Sequence, residues 1–586
     1  AGMSNSLRGK LMVCDFRDMY FTTIEIFKRP DCPVCRGKPV KPVGKEERLT
    51  ALCGRNTVNV NPAKPLEASL GEIHERLGYA FYRFAFQGET NEEFRERMRQ
   101  STVAYRKAIE FYGRPKEAVK TARTLRCNAM IAYVGYWLTP EAPEKKRLVD
   151  ECWRLTKEAL KAFDEGGEVL EYGKTYNQLS ASASHLHDFE WNFQAREEIV
   201  RNAMEHGERA ITVLSTLGDS RELARAYVRT AHYLEVLGGY FPDSDKRKKC
   251  FQKAAGYWLK ADELSEEAAM IELCAVGDQN FGWETDKALM NFKKALEYGR
   301  KTRDHFTVGR ALELLATNTH YKAGWVTEDP DERIELFKRA LQYSEDAKHS
   351  YSVISFVSPW VEAPLAEHYM CLARFVETSP SKRRELLEKA LEAGPDLLER
   401  AENSGYPDAI NYANDAMGFI FWLLAMTETN FDEKKKLLEK ALKHWNESFR
   451  LTEQLEPTHY WHRAVALSRL PRIKSELADL AKERETKISM LQEAMLDYEN
   501  AGKLATRALE SLEIEAQIPR YVALVRIEVP EYGDLLNRLY RLTNDGKYLR
   551  RAVEFFEDIA KSIPLQKLNL PSRVAECYWK TAQAYD

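Results

Sequence analysis

The residues best spaced for joint chemistry are two cysteines near the start of the chain. Cys32 and Cys35 lie in the proline-braced stretch Arg29-Pro-Asp-Cys-Pro-Val-Cys35. Two thiolates at this spacing can bind one zinc ion from a single tight turn, although a structural zinc site normally has four ligands. Three interpretations stay open: a zinc site completed by Cys14 and Cys53 or by another chain, a turn without metal, and a redox-active pair. The strand-to-helix setting of redox CxxC motifs is not predicted here.

Two pairs of histidines are the next candidate metal ligands. His185 and His187 are two residues apart on a predicted helix, so they point to different sides and could bind a metal only with further ligands. A surface or core role is the favoured interpretation. His459 and His462 are three residues apart and could share one face, but the start of a helix with aromatic packing accounts for them more simply.

No catalytic motif with meaningful spacing occurs in the sequence. It contains no GxSxG, no HExxH and no phosphate-binding GxxxxGK[ST]. The sequence therefore predicts a protein that is not an enzyme and that has no cofactor, apart from a possible zinc ion at the cysteines.

The helices that are predicted for most of this chain belong to an internal repeat. A segment with an alanine followed by an aliphatic residue recurs at steps of 41 to 58 residues, as in Phe337-Lys-Arg-Ala-Leu341 and Leu438-Glu-Lys-Ala-Leu442. A period of this length with helical patterning inside each unit predicts stacked helical hairpins in a solenoid. We call these the anchor alanines, and they are Ala108, Ala159, Ala210, Ala254, Ala295, Ala340, Ala390, Ala441, Ala494 and Ala552.

The predicted fold is all-α: a right-handed superhelix of about ten long helical hairpins over residues 66–586. Residues 1–65 form a separate small segment in which Lys10 to Cys14 and Met19 to Lys28 read as a β-hairpin, followed by the CxxC. In each helical unit the first helix is rich in apolar residues and the second is amphipathic. The predicted units are 66–114, 115–166, 167–218, 219–264, 265–303, 304–349, 350–404, 405–456, 457–514 and 515–565.

The alanine anchor, with aromatic and small residues in both helices, resembles the tetratricopeptide repeat. That family's unit has about 34 residues, and the units here are longer. The resemblance implies a concave face that binds a protein or peptide. The family's carboxylate-clamp pattern cannot be placed on units of irregular length, so the resemblance assigns no binding residues.

Aromatic residues are concentrated in the predicted first helices. Most of them are expected in the core, and some could line the concave groove. The stretch Leu77 to Phe86 carries more aromatic residues than one helix face can bury, so we expect the N-terminal segment to dock there. The main groups are Tyr79, Phe81, Tyr82, Phe84 and Phe86; Tyr133, Tyr136 and Trp137; and Phe419, Phe421 and Trp422.

A second resemblance covers about a tenth of the chain. Gly9-Lys-Leu-Met-Val-Cys-Asp15, the strand to Phe27, Arg29-Pro-Asp-Cys-Pro-Val-Cys35 and Leu52-Cys-Gly-Arg-Asn-Thr-Val58 resemble the tail of the ubiquitin-activating-like adenylyltransferases of thiamine and molybdopterin biosynthesis. In that family this CxxC is the second of two pairs that hold a zinc ion. The family's upstream glycine-rich nucleotide loop and catalytic aspartate do not occur in this sequence, so adenylation by this chain alone is not expected.

Composition restricts the partners and the compartment. The chain has 586 residues and a net charge of −3, with charges of both signs mixed throughout, so we expect no nucleic-acid partner. The longest apolar run, residues 416–426, is far shorter than the roughly 20 residues of a membrane helix. The scattered cysteines favour a reducing compartment, and we expect the cytoplasm.

Three functional hypotheses follow. The first is a non-catalytic scaffold that binds a protein or peptide on the concave face of the solenoid. The second is the regulatory or sensor portion of a larger signalling protein whose effector domain lies outside this chain. The third, from the N-terminal resemblance, is an accessory subunit of an adenylyltransferase that acts on a ubiquitin-like protein.

Overall fold

The structure, a computed structural model, describes most of the helical array and four short strands. The described residues are 66–113, 118–217, 220–241, 244–264, 285–327, 329–356, 358, 366, 369–374, 376–510 and 529–560, together with the backbone of the strands. In this part of the chain every strand lies before residue 61, and the remainder is helices and their connections. The predicted all-α solenoid is confirmed, while the hand of its superhelix stays a prediction.

The N-terminal segment contains two antiparallel hairpins. Strand β1 (Lys10–Asp15) pairs with β2 (Tyr20–Glu25), as the sequence predicts. A second hairpin, β3 (Leu49–Ala51) with β4 (Val58–Val60), was not predicted.

The predicted zinc ligands are not tested by this structure. Cys32, Cys35 and Cys53 lie outside the described residues, and Cys14 is described by its backbone alone. Docking of the N-terminal segment on Leu77 to Phe86 also falls outside what is described, and both stay predictions.

The described helices follow in pairs and fall within the predicted units, except that the helix Pro330–Val353 passes the predicted boundary at residue 349. The first helices are α1 (Leu66–Ala85), α3 (Ala118–Leu138), α5 and α6 (Val169–Leu179 and Ala181–Phe189, one helix divided at Ser180), α8 (Ser220–Tyr240), α11 (His305–Tyr321), the helical residues 369–374, α14 (Pro407–Thr427), α16 (Tyr460–Leu480) and α18 (Val529–Thr543). The second helices are α2 (Asn91–Tyr112), α4 (Ala142–Glu165), α7 (Phe193–Leu217), α9 (Ser244–Leu264), α10 (Thr285–Thr302), α12 (Pro330–Val353), α13 (Pro380–Ser404), α15 (Phe431–Leu455), α17 (Arg484–Glu510) and α19 (Gly546–Ala560). A π-helical turn, Lys322–Val326, extends α11.

Each anchor alanine lies in a second helix and is completely buried. All ten have a relative exposure of 0%. A methyl group is the largest side chain that lets two helices approach this closely, because a bulkier one would push the backbones apart. The alignment of units by these alanines is therefore confirmed.

The eighth unit shows how the sequence builds both kinds of helix. Helix α14 is apolar on nearly all sides and buries residues around its whole circumference. Helix α15 begins at a capping asparagine, Asn430, whose side-chain oxygen accepts hydrogen bonds from the amides of Asp432 and Glu433 at 3.0 and 3.1 Å. Its lysines and glutamates face water, so α15 covers one side of α14.

The contacts between first helices of neighbouring units are more deeply buried than the contacts between second helices. The buried guanidinium of Arg126 in α3 joins Glu75 of α1 to Glu171 of α5. Ion pairs between second helices, such as Arg209 with Asp164, are about half exposed. The first helices therefore lie on the inside of the curve, and we call the surface they form the inner face.

The array returns on itself after five units. Arg196 in unit three, 1% exposed, donates two hydrogen bonds to Asp408 in unit eight, at 3.2 and 2.8 Å. Arg83 in unit one pairs with Asp304 at the start of unit six at 3.2 Å. Because unit n rests on unit n + 5 in both cases, about five units make one turn of the superhelix.

A continuous line of such contacts joins the two turns, and we call it the seam. At the seam, the loops that join the two helices of units one, two, three and four contact the loops that connect successive units from five to nine. Its further contacts are Phe86 with Phe306, Asn91 with the carbonyl of Val353, Trp137 with Phe306 and Phe356, Tyr136 and Phe189 with Tyr406, and Arg247 with the carbonyl of Thr458.

Every helix among the described residues is too short or too polar to cross a membrane.

Candidate functional site: a cation–aromatic cluster on the inner face

The inner face of the first three units carries a closed ladder of opposite charges. Arg126 donates to Glu75 at 2.5 Å, to Glu171 at 2.8 Å and to the hydroxyl of Thr175 at 2.9 Å. Burial opposes the charge of this guanidinium, but Glu75 and Glu171 hold its pKa above the ordinary value. Since the partners satisfy one another, this ladder reads as a structural link between first helices.

The inner face of units seven to nine differs, because arginines there stack on aromatic rings. Phe419 and Trp422 are one turn apart on α14 and are partly buried. The guanidinium of Arg374 lies 5.2 Å from the ring centroid of Phe419 and 5.7 Å from that of Trp422. From α16, Arg469 lies 4.7 Å from Phe419 and Arg472 4.7 Å from Trp422. We call these five side chains the cation–aromatic cluster.

Two carboxylates border the cluster. Arg469 is paired with Asp415 of α14, and Arg472 donates from Nε to Glu531 of α18 at 2.9 Å. The five cluster residues and these two acids together hold three guanidinium groups and two carboxylates. The cluster thus gathers three positively charged groups at two aromatic rings, beside these two carboxylates, in a protein whose overall charge is −3.

The environment of Arg374 shows the effect of this charge. Burial, and next the neighbouring charge of Arg472, lower the pKa of Arg374 to about 10. An additional negative charge at the cluster would offset the repulsion between these two guanidinium groups. The electrostatics thus favour an anionic ligand.

The polar groups of the cluster are hydrogen-bond donors. The indole nitrogen of Trp422 is buried and has no hydrogen-bond partner among the described residues. Guanidinium groups offer only N–H donors, and so does an indole ring. A carboxylate or a phosphate group, which accepts hydrogen bonds, matches the guanidinium donors.

The sequence pointed to the aromatic residues of the cluster but not to its arginines. Phe419 and Trp422 were candidates for the concave groove. The structure places both beside arginines of neighbouring first helices and against Trp445 of α15, with ring centroids 5.0 and 6.2 Å apart. Phe421 is 8% exposed and packs on His444. The arginines were missed. A signal existed, because residues 374, 422 and 472 are separated by steps of 48 and 50 residues and thus occupy equivalent positions in consecutive units.

Of the two histidine pairs, only one shares a face of its helix, as the sequence predicts. His185 packs against Tyr136 of α3, with ring centroids 4.7 Å apart, while His187 contacts the hydroxyl of Tyr240 of α8. They face different helices and do not form one site. His459 and His462 do share a face, with ring centroids 3.7 Å apart.

Comparisons with known proteins give no family for this chain. No protein-family model matches the sequence, and no curated protein matches it. Among solved structures, a human IFIT1 dimer with m7Gppp-AAAA matches 71% of this chain and 90% of its own, at 15% identity and a TM-score of 0.25; the dimer with PPP-AAAA matches 70% and 90%, at 14% identity and 0.25. A circular tandem repeat protein matches 89% and 97%, at 14% identity and a TM-score of 0.16.

These TM-scores are too low to support any argument about fold or function, and the solenoid assignment rests on the helices described above. The comparisons give no support to the resemblance between residues 9–62 and the adenylyltransferases.

Proposed function

We propose that this protein is a non-catalytic scaffold whose inner face binds an acidic segment of a partner protein. The observation that supports the proposal most directly is the cation–aromatic cluster, in which Arg374, Arg469 and Arg472 surround Phe419 and Trp422. A peptide carboxylate would contact the guanidinium groups, and the apolar part of the same side chain would pack on the rings.

The position of the cluster suits a peptide ligand. It draws residues from three consecutive first helices, so an extended chain crossing those helices would contact each in turn. In the Arg126 ladder, by contrast, Glu75 and Glu171 face and satisfy the guanidinium, and no arginine of this ladder is stacked between two rings of the described residues. We therefore assign binding to the half of the inner face formed by units seven to nine.

The cytoplasm is the proposed location. Among the described residues, Cys127, Cys152, Cys250 and Cys371 form no disulfide bond, which is consistent with a reducing compartment. No observation favours the regulatory-fragment or the accessory-subunit hypothesis over the scaffold.

The test compares capture of partners by the full chain and by one charge-removing variant. Arg374→Met keeps a long apolar side chain over the rings but removes the guanidinium. The immobilised protein should retain one or more acidic proteins from a cell extract that the variant loses, and a peptide from the retained protein should bind the variant at least tenfold more weakly. Mass spectrometry and calorimetry supply the two readouts.

Arg154→Met is the matched control. Arg154 lies on α4, a second helix, where its side chain is 58% exposed and pairs with Glu158. The control should capture the same proteins as the unaltered chain. Equal capture by all three proteins would contradict the assignment to the cluster, and retention of nucleic acid in place of protein would contradict the ligand class.

A further inference from the structure

The loop between α15 and α16 gathers three potential metal ligands. Glu456, His459 and His462 follow one another at steps of three residues, and one ligand atom from each lies within 4.8 Å of the other two. They are the only group of three or more histidine, cysteine or acidic side chains with such geometry among the described residues.

The local backbone explains why these side chains converge. Glu456 ends α15 and His459 caps the start of α16, where its Nδ1 accepts the amide hydrogen of His462 at 3.2 Å. The turn therefore brings the end of one helix to the first turn of the next. His462 contacts the carboxylate of Glu456 through Nδ1, and the two imidazole rings stack at an angle of 22°.

We propose that Glu456, His459 and His462 form a binding site for a divalent transition metal ion of the zinc type. Two imidazole nitrogens and one carboxylate oxygen are a ligand set that zinc uses when it keeps a fourth position for water. In a tetrahedral site with bonds of about 2.0–2.1 Å the ligand atoms are roughly 3.4 Å apart. The three ligand atoms, which lie within 4.8 Å of one another, are thus already near that separation.

The site lies beside the seam, which gives a bound metal a structural consequence. Thr458, between the proposed ligands, accepts a hydrogen bond through its carbonyl from Arg247 of unit four at 3.0 Å. Gln454, in the last turn of α15, donates to the carbonyl of Trp191 in unit three at 3.4 Å. A metal that fixes the loop would therefore stabilise the contact between the two turns of the superhelix.

The test uses Co²⁺, whose visible absorption reports tetrahedral binding, on the chelator-treated full chain. The background is Cys32→Ser with Cys35→Ser, so that the predicted N-terminal thiolate site does not contribute. This protein should bind one equivalent of Co²⁺ competed by Zn²⁺, without the thiolate charge-transfer band that cysteine ligands give. It should also unfold at a higher temperature with Zn²⁺ than with chelator.

Two variants and a control decide the assignment. Glu456→Gln keeps the size of the side chain and a hydrogen-bonding group near His462, and it should weaken Co²⁺ binding at least tenfold with unchanged circular dichroism; His462→Ala should abolish binding. His206→Ala, on α7 and remote from the loop, should leave the stoichiometry and affinity unchanged. Absence of Co²⁺ binding in the double-serine background, or binding unaffected by Glu456→Gln, would overturn the proposal.

Discussion

Close approach between first and second helices depends on single small residues. Gly418 of α14 faces the indole ring of Trp445 of α15 so closely that a Cβ atom there would overlap the ring. Trp445 is itself held in place, because its Nε1 donates to the carbonyl of Asp415 at 3.1 Å. The same relation joins Gly78 of α1 to Tyr105 of α2.

Gly418→Ala should therefore destabilise the protein. Overpacking costs about 1–3 kcal/mol, whereas alanine in a helix gains at most about 1 kcal/mol over glycine. We expect a net loss of about 1–2 kcal/mol in urea unfolding. Gly256→Ala is the matched control on α9, since no atom lies within 4 Å of the position that its methyl group would occupy, and it should be neutral or stabilising. Equal stability of the two variants would contradict the packing described here.

A partly buried histidine predicts how stability depends on pH. Burial lowers the pKa of His185 from 6.5 to about 4, with Lys145 adding to the effect and Asp188 opposing it. As the pH falls below about 6.5, the unfolded chain takes up a proton that the folded protein binds only near pH 4, so the folded state loses stability across that range.

His185→Gln should remove this part of the pH dependence. Allowing for partial solvent access, the loss of unfolding free energy between pH 7 and pH 5 should shrink by about 1–2 kcal/mol. Urea unfolding at the two pH values measures it. An unaltered difference between the two pH values would show that His185 takes up its proton equally in both states.

At the scale of the helix, a residue at the N-terminus stabilises the helix when its side chain accepts an amide hydrogen bond. Asn430 accepts two amide hydrogen bonds at the start of α15, whereas Ser379 at the start of α13 makes no such bond with its side chain. Asn430→Ala should cost about 1 kcal/mol and Ser379→Ala no more than a few tenths. The comparison is made by chemical denaturation, and similar losses for both would be evidence against the cap at Asn430.

The sequence predicted the elements well because the signals that define them are local. The anchor alanines and the apolar spacing around them lie within single helices, and the described helices fall within the predicted units except where α12 passes the boundary at residue 349. The β1–β2 hairpin follows from alternation over a few residues. The short strands β3 and β4 carry too little pattern to be recognised.

Contacts between units could not be predicted from such local patterns. The arginines of the cation–aromatic cluster contact aromatic rings about fifty residues away, and most contacts of the seam join residues more than two hundred apart. The surplus aromatic residues near Phe86 were assigned to the docking of the N-terminal segment. The structure shows another use for part of them, because Phe86 is 2% exposed and packs on Trp137 and Phe306.

At the scale of the whole molecule, the seam determines how open the inner face is. Units one to four lie edge to edge on units six to nine, so the described part of the superhelix has no gap between its turns at these contacts. A ligand of the inner face would therefore enter along the axis of the superhelix rather than from the side.

The buried ion pair at the seam should contribute to its stability. Asp408→Ala leaves the guanidinium of Arg196, 1% exposed, without its carboxylate. We expect a loss of about 2 kcal/mol, below the 3–5 kcal/mol of fully buried pairs because Asp408 is partly exposed. Asp396→Ala removes an exposed i,i+4 pair with Arg400 and should change stability by less than about 0.5 kcal/mol. Parallel denaturation curves distinguish the two.

The return of the solenoid on itself after five units is tested most directly by one distance. Glu89 and Lys301 are exposed on opposite sides of the seam, and Glu89 pairs with Arg303 at 3.4 Å. Spin labels introduced there as unnatural amino acids, which spares the native cysteines, allow a pulsed electron paramagnetic resonance measurement. The closed seam predicts a single short separation. An array that did not return would place the labels about eight helix layers apart, on the order of 70 Å, and that result would contradict the seam.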